Sequence, residues 1–459
     1  MTRGRRVALV LIVAAVLLRL ATLSHHSLWL DEAFSIRVAT THSAAEIWTP
    51  DFDGMHPSLY YLVLHAFLGV TGVSQVAARL PSALASIVSL VLIYFVGRHL
   101  FFGARGRVIG LTAAMLLALA PIDFWYSQEV RMYEMVVMAA LTFMFGLALV
   151  IDGAWWAVLL IAVGLAGGVN LDHTMWPVAI VATSGWLVLW FHRSRRGGAL
   201  TRVVIGIGAG LVLAGPARGR AAAVYEGLSE VSLFANVRSA LGILRPPPIP
   251  FAVAIVGVLI ISISIAATMW WIASRPKWTR AFQYTMVGAF VVATMAVVFP
   301  RAYSLKQVLV CVWPFLILAT AWALSAIERR VFVGAIVVSA AALMATFLTP
   351  RADWRGVAAY LSSPALSDAV VVLDPLYNEQ PLHFYMPSAR PVVRGPVASI
   401  EALRPAASAS AMGQACLVSE RFGAKPPTSS TEEWLDDNLA LVSATPFARL
   451  EVRCYRPRP

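Results

Sequence analysis

The sequence predicts a polytopic α-helical membrane protein, with about 11 transmembrane helices and a small α/β domain at its C-terminal end. Two observations are compositional: 59% of the residues are hydrophobic and only 13% are charged, whereas soluble domains carry about 25% charged residues. The third is that apolar stretches of about 18 residues recur along the chain up to residue 349.

Residues 1–349 form the predicted transmembrane domain. Its spans are predicted near residues 7–23, 80–97, 108–121, 132–151, 155–170, 174–191, 203–216, 251–273, 281–299, 306–326 and 331–349. No small-residue cleavage site follows the first apolar stretch, so we expect a retained span rather than a signal peptide.

Arginine and lysine clusters between the spans predict the topology. They occur at Arg3/Arg5/Arg6, Arg98/Arg105/Arg107, Arg193/Arg195/Arg196/Arg202, Arg275/Lys277/Arg280 and Arg329/Arg330. With a cytoplasmic N-terminus all of them fall inside, as the positive-inside rule requires. The net charge of +12 is therefore a topology signal, and nucleic-acid binding is not expected because no continuous basic patch forms.

The outer loop 24–79 is predicted to carry interfacial helices. The stretch His56–Thr71 is apolar but too short for a span, and counting it as one would place an arginine cluster outside. We expect it to lie at the outer interface, where Tyr60 and Tyr61 suit the headgroup boundary.

Residues 350–459 are of mixed polarity and form the predicted extracytoplasmic domain. Ala369–Leu373 is typical of a buried strand and Asp353–Leu361 of an amphipathic helix. Cys416 and Cys454 could pair here if this domain faces an oxidising compartment.

Carboxylates collect on the predicted outer side, which indicates an outward-facing site. Asp31 and Glu32 follow the first span directly. They offer a general base or ligands for a hard divalent cation. The alternative is that Asp31 simply starts a helix along residues 32–41.

Further along the same loop, Asp51, Asp53 and His56 share a turn shaped by Gly54 and Pro57. A functional role for His56 and a role only at the start of a helix both remain open. The third outer loop ends with Arg131 and Tyr133, and an arginine at this boundary could grip a phosphate by a bidentate hydrogen bond. Its alternative is an internal ion pair with Glu129 or Glu134.

Three more polar residues stand at predicted outer span ends. His173 belongs to a histidine–acid pair with Asp172, while Arg301 and Lys306 flank the start of a late span. These two cations either contact a lipid phosphate or extend to the headgroups.

Five motifs, taken in order, resemble the GT-C superfamily of membrane glycosyltransferases, especially bacterial relatives of protein O-mannosyltransferases and the lipid A aminoarabinose transferase. They are LDEAFS from residue 30, HPSLYYLVLHAFLG from 56, ARLPSALAS from 78, YSQEVRMYEM from 126 and LDHT from 171.

This resemblance implies a transferase that uses a sugar linked to polyprenyl phosphate. Asp31 matches the family's catalytic aspartate, which acts as a base or in metal binding, and Glu32 matches the acid beside it. His56 matches the start of an H-P-P segment in which Ser58 here replaces the second proline. The aminoarabinose branch has a lysine near the lipid phosphate at this position, so phosphate contact and metal ligation both stay open for His56. Arg131 and Tyr133 match the R-x-Y that opens a span in the bacterial branch, and His173 matches a histidine at an outer span end. We expect His56 and Arg131 around the donor phosphate, with Tyr133 and His173 lining the cavity. Near Lys306 the relatives commonly carry an arginine followed by a tyrosine, whereas this chain has Lys306 followed by Gln307.

The hypothesis is an inverting glycosyltransferase of the plasma membrane that moves a sugar, mannose by family resemblance, to a protein, glycolipid or glycan acceptor outside the cytoplasm. A divalent metal ion would have Asp31, His56 and Asp53 as candidate ligands. The main alternative is a transporter or flippase of a lipid-linked saccharide, which predicts charges at the midplane of the bilayer. A membrane scaffold is the third candidate.

Overall fold

A computed structural model describes residues 3–49, 56–101, 103–193, 197–215, 305–325, 329–374, 379–387, 392–394, 414–421 and 429–458. The chain divides into two compact units. The first comprises Met1–Ala21 and Ala39–Thr349, and the second comprises Thr22–Val38 and Pro350–Pro459. The spans predicted near 251–273 and 281–299 lie outside the described residues.

The first unit is helical throughout its described part. Its helices are α1 (Arg3–Ala21), the end of α2 (Leu30–Thr41), α3 (Ala44–Ile47), α4 (Leu59–Thr71), α5 (Gln75–Phe101), α6 (Gly103–Ala118), α7 (Pro121–Ser127), α8 (Tyr133–Ile151), α9 (Ala157–Leu171), α10 (Met175–Arg193), α11 (Gly197–Leu213), α12 (Leu305–Leu324) and α13 (Arg329–Leu348). Each predicted span within the described residues corresponds to one of these helices, with ends that differ by a few residues.

By length and composition, α5 and α8 could each cross a membrane, and α6 with α7 could form a third crossing that is bent by 60°. The bend follows from Pro121, which opens α7 and lacks the N–H that a continuous helix would need. These apolar helices support a membrane protein, while the total number of spans and their orientation stay predictions.

Helices α8 and α9 pack closely as an antiparallel pair. A Cβ at Gly164 of α9 would lie only 2.6 Å from the backbone nitrogen of Phe143 in α8, so a larger residue would force the two helices apart. Small residues allow this kind of close approach between apolar helices. The packing brings the start of α8 and the end of α9 to the same end of the pair.

The expectation that Tyr60 and Tyr61 face the headgroup region is wrong. Both side chains are 1% exposed, because α4 packs against α5 and α9 instead of lying free on one side. Burying these large rings contributes to the packing of α4.

A buried ion pair joins α1 to α7. Arg19 is fully buried, and its Nη2 lies 2.7 Å from Oδ2 of Asp123. Ser86 of α5 donates to the same oxygen at 2.8 Å, and Arg19 Nη1 donates to the carbonyl of Ala118 at 2.8 Å. A charge within an apolar bundle is tolerated when it is paired and hydrogen-bonded in this way.

The second unit has an α/β fold, as predicted for residues 350–459. Its elements in that range are α14 (Trp354–Leu361), β1 (Val370–Asp374), α15 (Glu379–Tyr385), β2 (Val392–Arg394), β3 (Ala415–Glu420), α16 (Ser430–Asn438), β4 (Leu439–Phe447) and β5 (Leu450–Pro457). The strand order is β2-β1-β3-β5-β4. Strand β1 is parallel to β2 and β3, and β5 is antiparallel to β3 and β4.

The core of this sheet lies on both of its faces. Val371 and Leu373 pack on one face with Trp354 of α14, while Val372 and Leu417 pack on the other with Leu435 of α16. Cys416 and Cys454 stand opposite each other on β3 and β5 and form a disulfide. The bridge closes a long loop and so restricts the unfolded chain.

Candidate functional site

The predicted site residues fall into two groups, one in each unit. In the first unit, His56 precedes α4, Arg131 precedes α8, and Asp172 follows α9. The close packing of α8 on α9 explains why Arg131 and Asp172, which are 41 positions apart in the sequence, come to the same place.

Arg131 and His56 form the central contact of this group. The guanidinium Nη2 of Arg131 lies 2.9 Å from Nε2 of His56. A guanidinium only donates hydrogen bonds, so the imidazole must accept through Nε2 and carry its proton on Nδ1. The histidine is therefore neutral, and Arg131 is the cation of the pair.

The electrostatics agree with a neutral imidazole. The pKa of His56 is lowered from 6.5 to about 3. Burial of the ring is the largest cause, and the charges of Arg131 and His173 add to it. The carboxylate of Asp172 lies nearby, with its Oδ2 3.9 Å from Nδ1 of His56. That distance exceeds a hydrogen bond, so Arg131 is the side chain whose hydrogen bond to the ring is seen.

The surrounding backbone holds the pair in place. Ser82 of α5 donates to the carbonyl of Arg131 at 3.0 Å. Asp172 accepts from the backbone nitrogen and the hydroxyl of Thr174, at 2.9 and 2.7 Å, which fixes its carboxylate at the end of α9. Loops that are tied to rigid helices in this way can hold a charged group with little movement.

Aromatic rings border Arg131. Its guanidinium lies 5.9 Å from the ring centroid of Tyr133, a distance typical of a cation–π contact. The ring of Tyr133 in turn lies 4.7 Å from that of Tyr126. Tyr133 thus lies beside the cation.

In the second unit, Asp31 and Glu32 occupy the first turn of α2, which starts at Leu30. Oε2 of Glu32 accepts from the backbone nitrogen of Trp29 at 3.2 Å, the reach-back contact with which a glutamate stabilises a helix start. Glu32 is fully buried, whereas Asp31 is partly exposed. Within the second unit Glu32 therefore helps to hold the turn that carries Asp31.

The remaining predicted residues have different outcomes. Asp53 and Arg301 lie outside the described residues, and Lys306 lies in the first turn of α12. His173 follows α9 and is near enough to His56 to affect its pKa. The residue that sequence reasoning left out of the site is Asp172, whose place beside His173 in the LDHT motif was the available signal.

A divalent cation fits His56 poorly. Its Nε2 already accepts from Arg131, and a metal ligand needs that lone pair. Among the residues that the structure describes, no three histidine, cysteine, aspartate or glutamate side chains are grouped as a metal site would require.

The chain is similar to a known protein family and to several solved structures. The family model of dolichyl-phosphate-mannose-protein mannosyltransferases matches residues 55–216, the part of the chain that contains His56, Arg131 and Asp172. A comparison with curated proteins gives no significant match.

Three solved structures are similar. ArnT from Cupriavidus metallidurans, bound to undecaprenyl phosphate, has a TM-score of 0.59 and 14% identity, with 97% of each chain covered. The Archaeoglobus fulgidus oligosaccharyltransferase in its apo form has a TM-score of 0.53 and 11% identity over 90% of this chain and 69% of that one.

The third is the arabinofuranosyltransferase AftD from Mycobacteria, with a TM-score of 0.53 and 14% identity. The match covers 99% of this chain but only 40% of AftD. Together with the family match, these likenesses confirm the resemblance that the motifs predicted: the chain has the fold of the GT-C superfamily of membrane glycosyltransferases.

Proposed function

We propose that the chain is a glycosyltransferase that moves a sugar from a polyprenyl-phosphate donor to an acceptor outside the cytoplasm. The observation that carries this proposal is the Arg131 guanidinium, held in a defined position by a neutral histidine and bordered by Tyr133. The family match over residues 55–216 supports lipid-linked sugar transfer, and its name favours mannose. The similar ArnT structure holds undecaprenyl phosphate, a lipid phosphate of the proposed class.

In the proposed reaction, Arg131 binds the phosphate that leaves the sugar. The bond between the anomeric carbon and the phosphate oxygen breaks, and its electron pair stays on the phosphate. Arg131 stabilises this growing negative charge by charge-assisted hydrogen bonds. Because His56 is neutral, the positive charge of the site resides on Arg131 and attracts the anion rather than being divided between two groups.

Asp31 is the proposed general base. It takes the proton of the acceptor hydroxyl as the acceptor oxygen forms its bond to the anomeric carbon. Attack from the face opposite the leaving phosphate inverts the configuration at that carbon. Glu32 supports this role through the helix start, since its carboxylate binds the Trp29 backbone. Should the reaction use a divalent cation, it would supply further charge neutralisation for the phosphate, with Asp31 as the candidate ligand in preference to His56.

The proposed location follows from the chemistry of the donor. The polyprenyl tail stays in the bilayer and the sugar stays in water, so the site belongs at the boundary between them. We place the enzyme in the plasma membrane, with the N-terminus in the cytoplasm and residues 24–56 and 350–459 outside it. Reporter fusions after Thr49 and Arg458 test this topology, and a cytosolic signal from Thr49 would contradict it.

The direct test is turnover of undecaprenyl-phosphate-linked radiolabelled mannose in membranes that contain the protein. Asp31→Asn should reduce sugar transfer by 100-fold or more, on the order of what a general base contributes. Asp152→Asn is the matched control, because it makes the same change at the far end of α8, where Asp152 contacts His99. Normal turnover by Asp31→Asn would refute the assignment. A transporter would instead move labelled lipid between leaflets without consuming it.

A further inference from the structure

A short segment of the second unit, Ser24–Leu28, is bound to the C-terminal part of the same unit by side-chain hydrogen bonds. The hydroxyl of Ser27 donates to Oδ1 of Asp353 at 3.2 Å and accepts from the backbone nitrogen of Arg355 at 3.1 Å. The segment precedes α2, the helix that carries Asp31.

Two more contacts extend this attachment. Nη2 of Arg355 donates to the carbonyl of Ser24 at 2.9 Å. The backbone nitrogen of Leu28 donates to the hydroxyl of Tyr385 at 2.8 Å. The Arg355 guanidinium also lies 5.8 Å from the Tyr385 ring, so the two side chains support each other.

The segment completes the start of α14. The first backbone N–H groups of a helix have no partner within the helix and need acceptors from elsewhere. Asp353 accepts from the nitrogen of Gly356 at 3.0 Å, while Ser27, more than 320 residues earlier in the chain, accepts from that of Arg355. Two N–H groups at the start of α14 therefore have acceptors, one from the C-terminal part of the unit and one from the segment Ser24–Leu28.

Burial makes these contacts costly to lose. Leu28 is 0% exposed and Ser27 is 6% exposed. Without the Tyr385 hydroxyl, the backbone N–H of Leu28 would be a buried donor that lacks its acceptor, which proteins rarely tolerate. The attachment thus determines where the backbone at Leu28 lies.

The position of Leu28 in turn limits that of Asp31. They are three positions apart in the sequence, a distance of at most about 11 Å when the chain is fully extended. Within that stretch, the nitrogen of Trp29 is bound by Glu32 and α2 begins at Leu30. Little freedom is left between the attachment and the carboxylate.

We propose that Tyr385, Asp353 and Arg355 are positioning residues for the reaction, through which the C-terminal domain holds the turn that carries Asp31. The inference rests on the proposed function, in which Asp31 is the general base. It gives residues 350–459 a part in catalysis besides any contact with the acceptor. A displacement of about 1 Å at a reacting group can reduce the rate by about 100-fold, so such an attachment affects turnover.

The first test measures the attachment itself by hydrogen–deuterium exchange in the full-length protein in detergent. Tyr385→Phe removes the acceptor of the Leu28 N–H and should raise exchange in peptides that cover residues 24–33. Tyr360→Phe is the matched control: the same change, in the same domain, at a hydroxyl 3.4 Å from Ser443. Equal exchange in the two variants would overturn the proposal.

The second test measures turnover with undecaprenyl-phosphate-linked mannose. Tyr385→Phe should lower kcat by 5-fold or more, with an unchanged KM for the donor and an unchanged melting temperature relative to Tyr360→Phe. Ser27→Ala should have a similar effect, and Ser27→Thr, which keeps the hydroxyl, should restore most of kcat. Raised exchange without a change in kcat would overturn the positioning role.

The two proposals fail in different ways. If the unmodified protein consumed no donor lipid, the proposed function would be refuted and the positioning role in catalysis with it, whereas the exchange experiment would still report whether the attachment exists. If Asp31→Asn lost activity but Tyr385→Phe and Ser27→Ala did not, the proposed function would stand and the positioning role would be refuted.

Discussion

Arg131 donates a hydrogen bond to His56, with 2.9 Å between Nη2 and Nε2. The two residues are 75 positions apart in the sequence, and each begins a helix-forming segment. Their contact makes the imidazole a neutral acceptor and the guanidinium an oriented cation. Sequence comparison alone left open whether His56 contacts a phosphate or a metal ion, and the geometry favours a third role, which is to hold Arg131.

Replacing His56 with alanine should weaken the binding of undecaprenyl phosphate by about 5- to 10-fold, since the loss of one oriented hydrogen bond costs about 1 kcal/mol. Isothermal titration in detergent measures this affinity. His56→Gln should recover most of it, because the side-chain oxygen can still accept from Arg131. Equal affinities of the alanine and glutamine variants would contradict the positioning role of the ring nitrogen.

Replacing Arg131 should have a larger effect than replacing His56. Arg131→Gln removes the cation and should weaken undecaprenyl phosphate binding by 10-fold or more, because a hydrogen bond to a charged group contributes about 1.5–3 kcal/mol. Arg202→Gln is the control. Arg202 lies 4.7 Å from the ring of Trp155, which precedes α9 and so lies at the opposite end of the α8–α9 pair. Similar affinities of the two variants would contradict phosphate binding by Arg131.

The stability of the first unit should fall in acid partly because of His56. Its pKa is about 3 in the folded protein and 6.5 in the unfolded chain, so the unfolded chain binds more protons between these values. The contribution of the neutral ring is complete above pH 6.5 and is lost as the pH falls toward 3. At pH 5 the loss is at most about 2 kcal/mol.

Melting temperatures in detergent at pH 7.5 and pH 5.0 check this effect. The unmodified protein should lose more stability between these two pH values than His56→Gln, which has no group to protonate. His42→Gln makes the same substitution at a histidine that contacts Thr41 in the turn after α2, and serves as the control. Identical pH dependence in the unmodified protein and His56→Gln would contradict the depressed pKa of His56.

Breaking the Arg19–Asp123 pair should destabilise the helical unit strongly. Arg19→Met leaves the Asp123 carboxylate buried without its cation, and removing one partner of a buried pair costs about 3–5 kcal/mol. Thermal unfolding in detergent measures the loss. Replacing both residues, by Arg19→Met with Asp123→Leu, should cost less than Arg19→Met alone, because the Asp123 carboxylate that needs the Arg19 cation is then removed as well. A larger loss in the double variant would contradict this account.

The disulfide of the second unit predicts the number of reactive thiols. The chain has three cysteines, and Cys416 is bonded to Cys454. In protein denatured without reductant, a maleimide reagent should label Cys311 alone, and after reduction it should label all of them. Cys416→Ser should expose a second thiol before reduction. Labelling of every cysteine without reductant would contradict both the bond and the oxidising location proposed for this domain.

Much of the secondary structure could be predicted from the sequence. The lengths of the apolar stretches predicted α5 and α8 within a few residues, and the run of valines from Val370 predicted a buried strand. These properties depend on neighbouring residues, because helix and strand periodicity and hydrophobic length are local features of the chain. The motifs likewise identified His56, Arg131 and Asp31 as residues of interest, because a motif is a local pattern of neighbouring residues.

Only the tertiary structure decided the partners of these residues. Arg19 pairs with Asp123 across 104 positions, Ser27 with Asp353 across 326, and Arg131 with His56 across 75. Tyr60 and Tyr61 point into the protein because α4 packs on its neighbours. Hydrophobic length and periodicity determine which segments become helices. A polar side chain that packing buries must instead bond to the groups that the fold brings near it. The local sequence pattern does not encode these partners, because they come from distant parts of the chain.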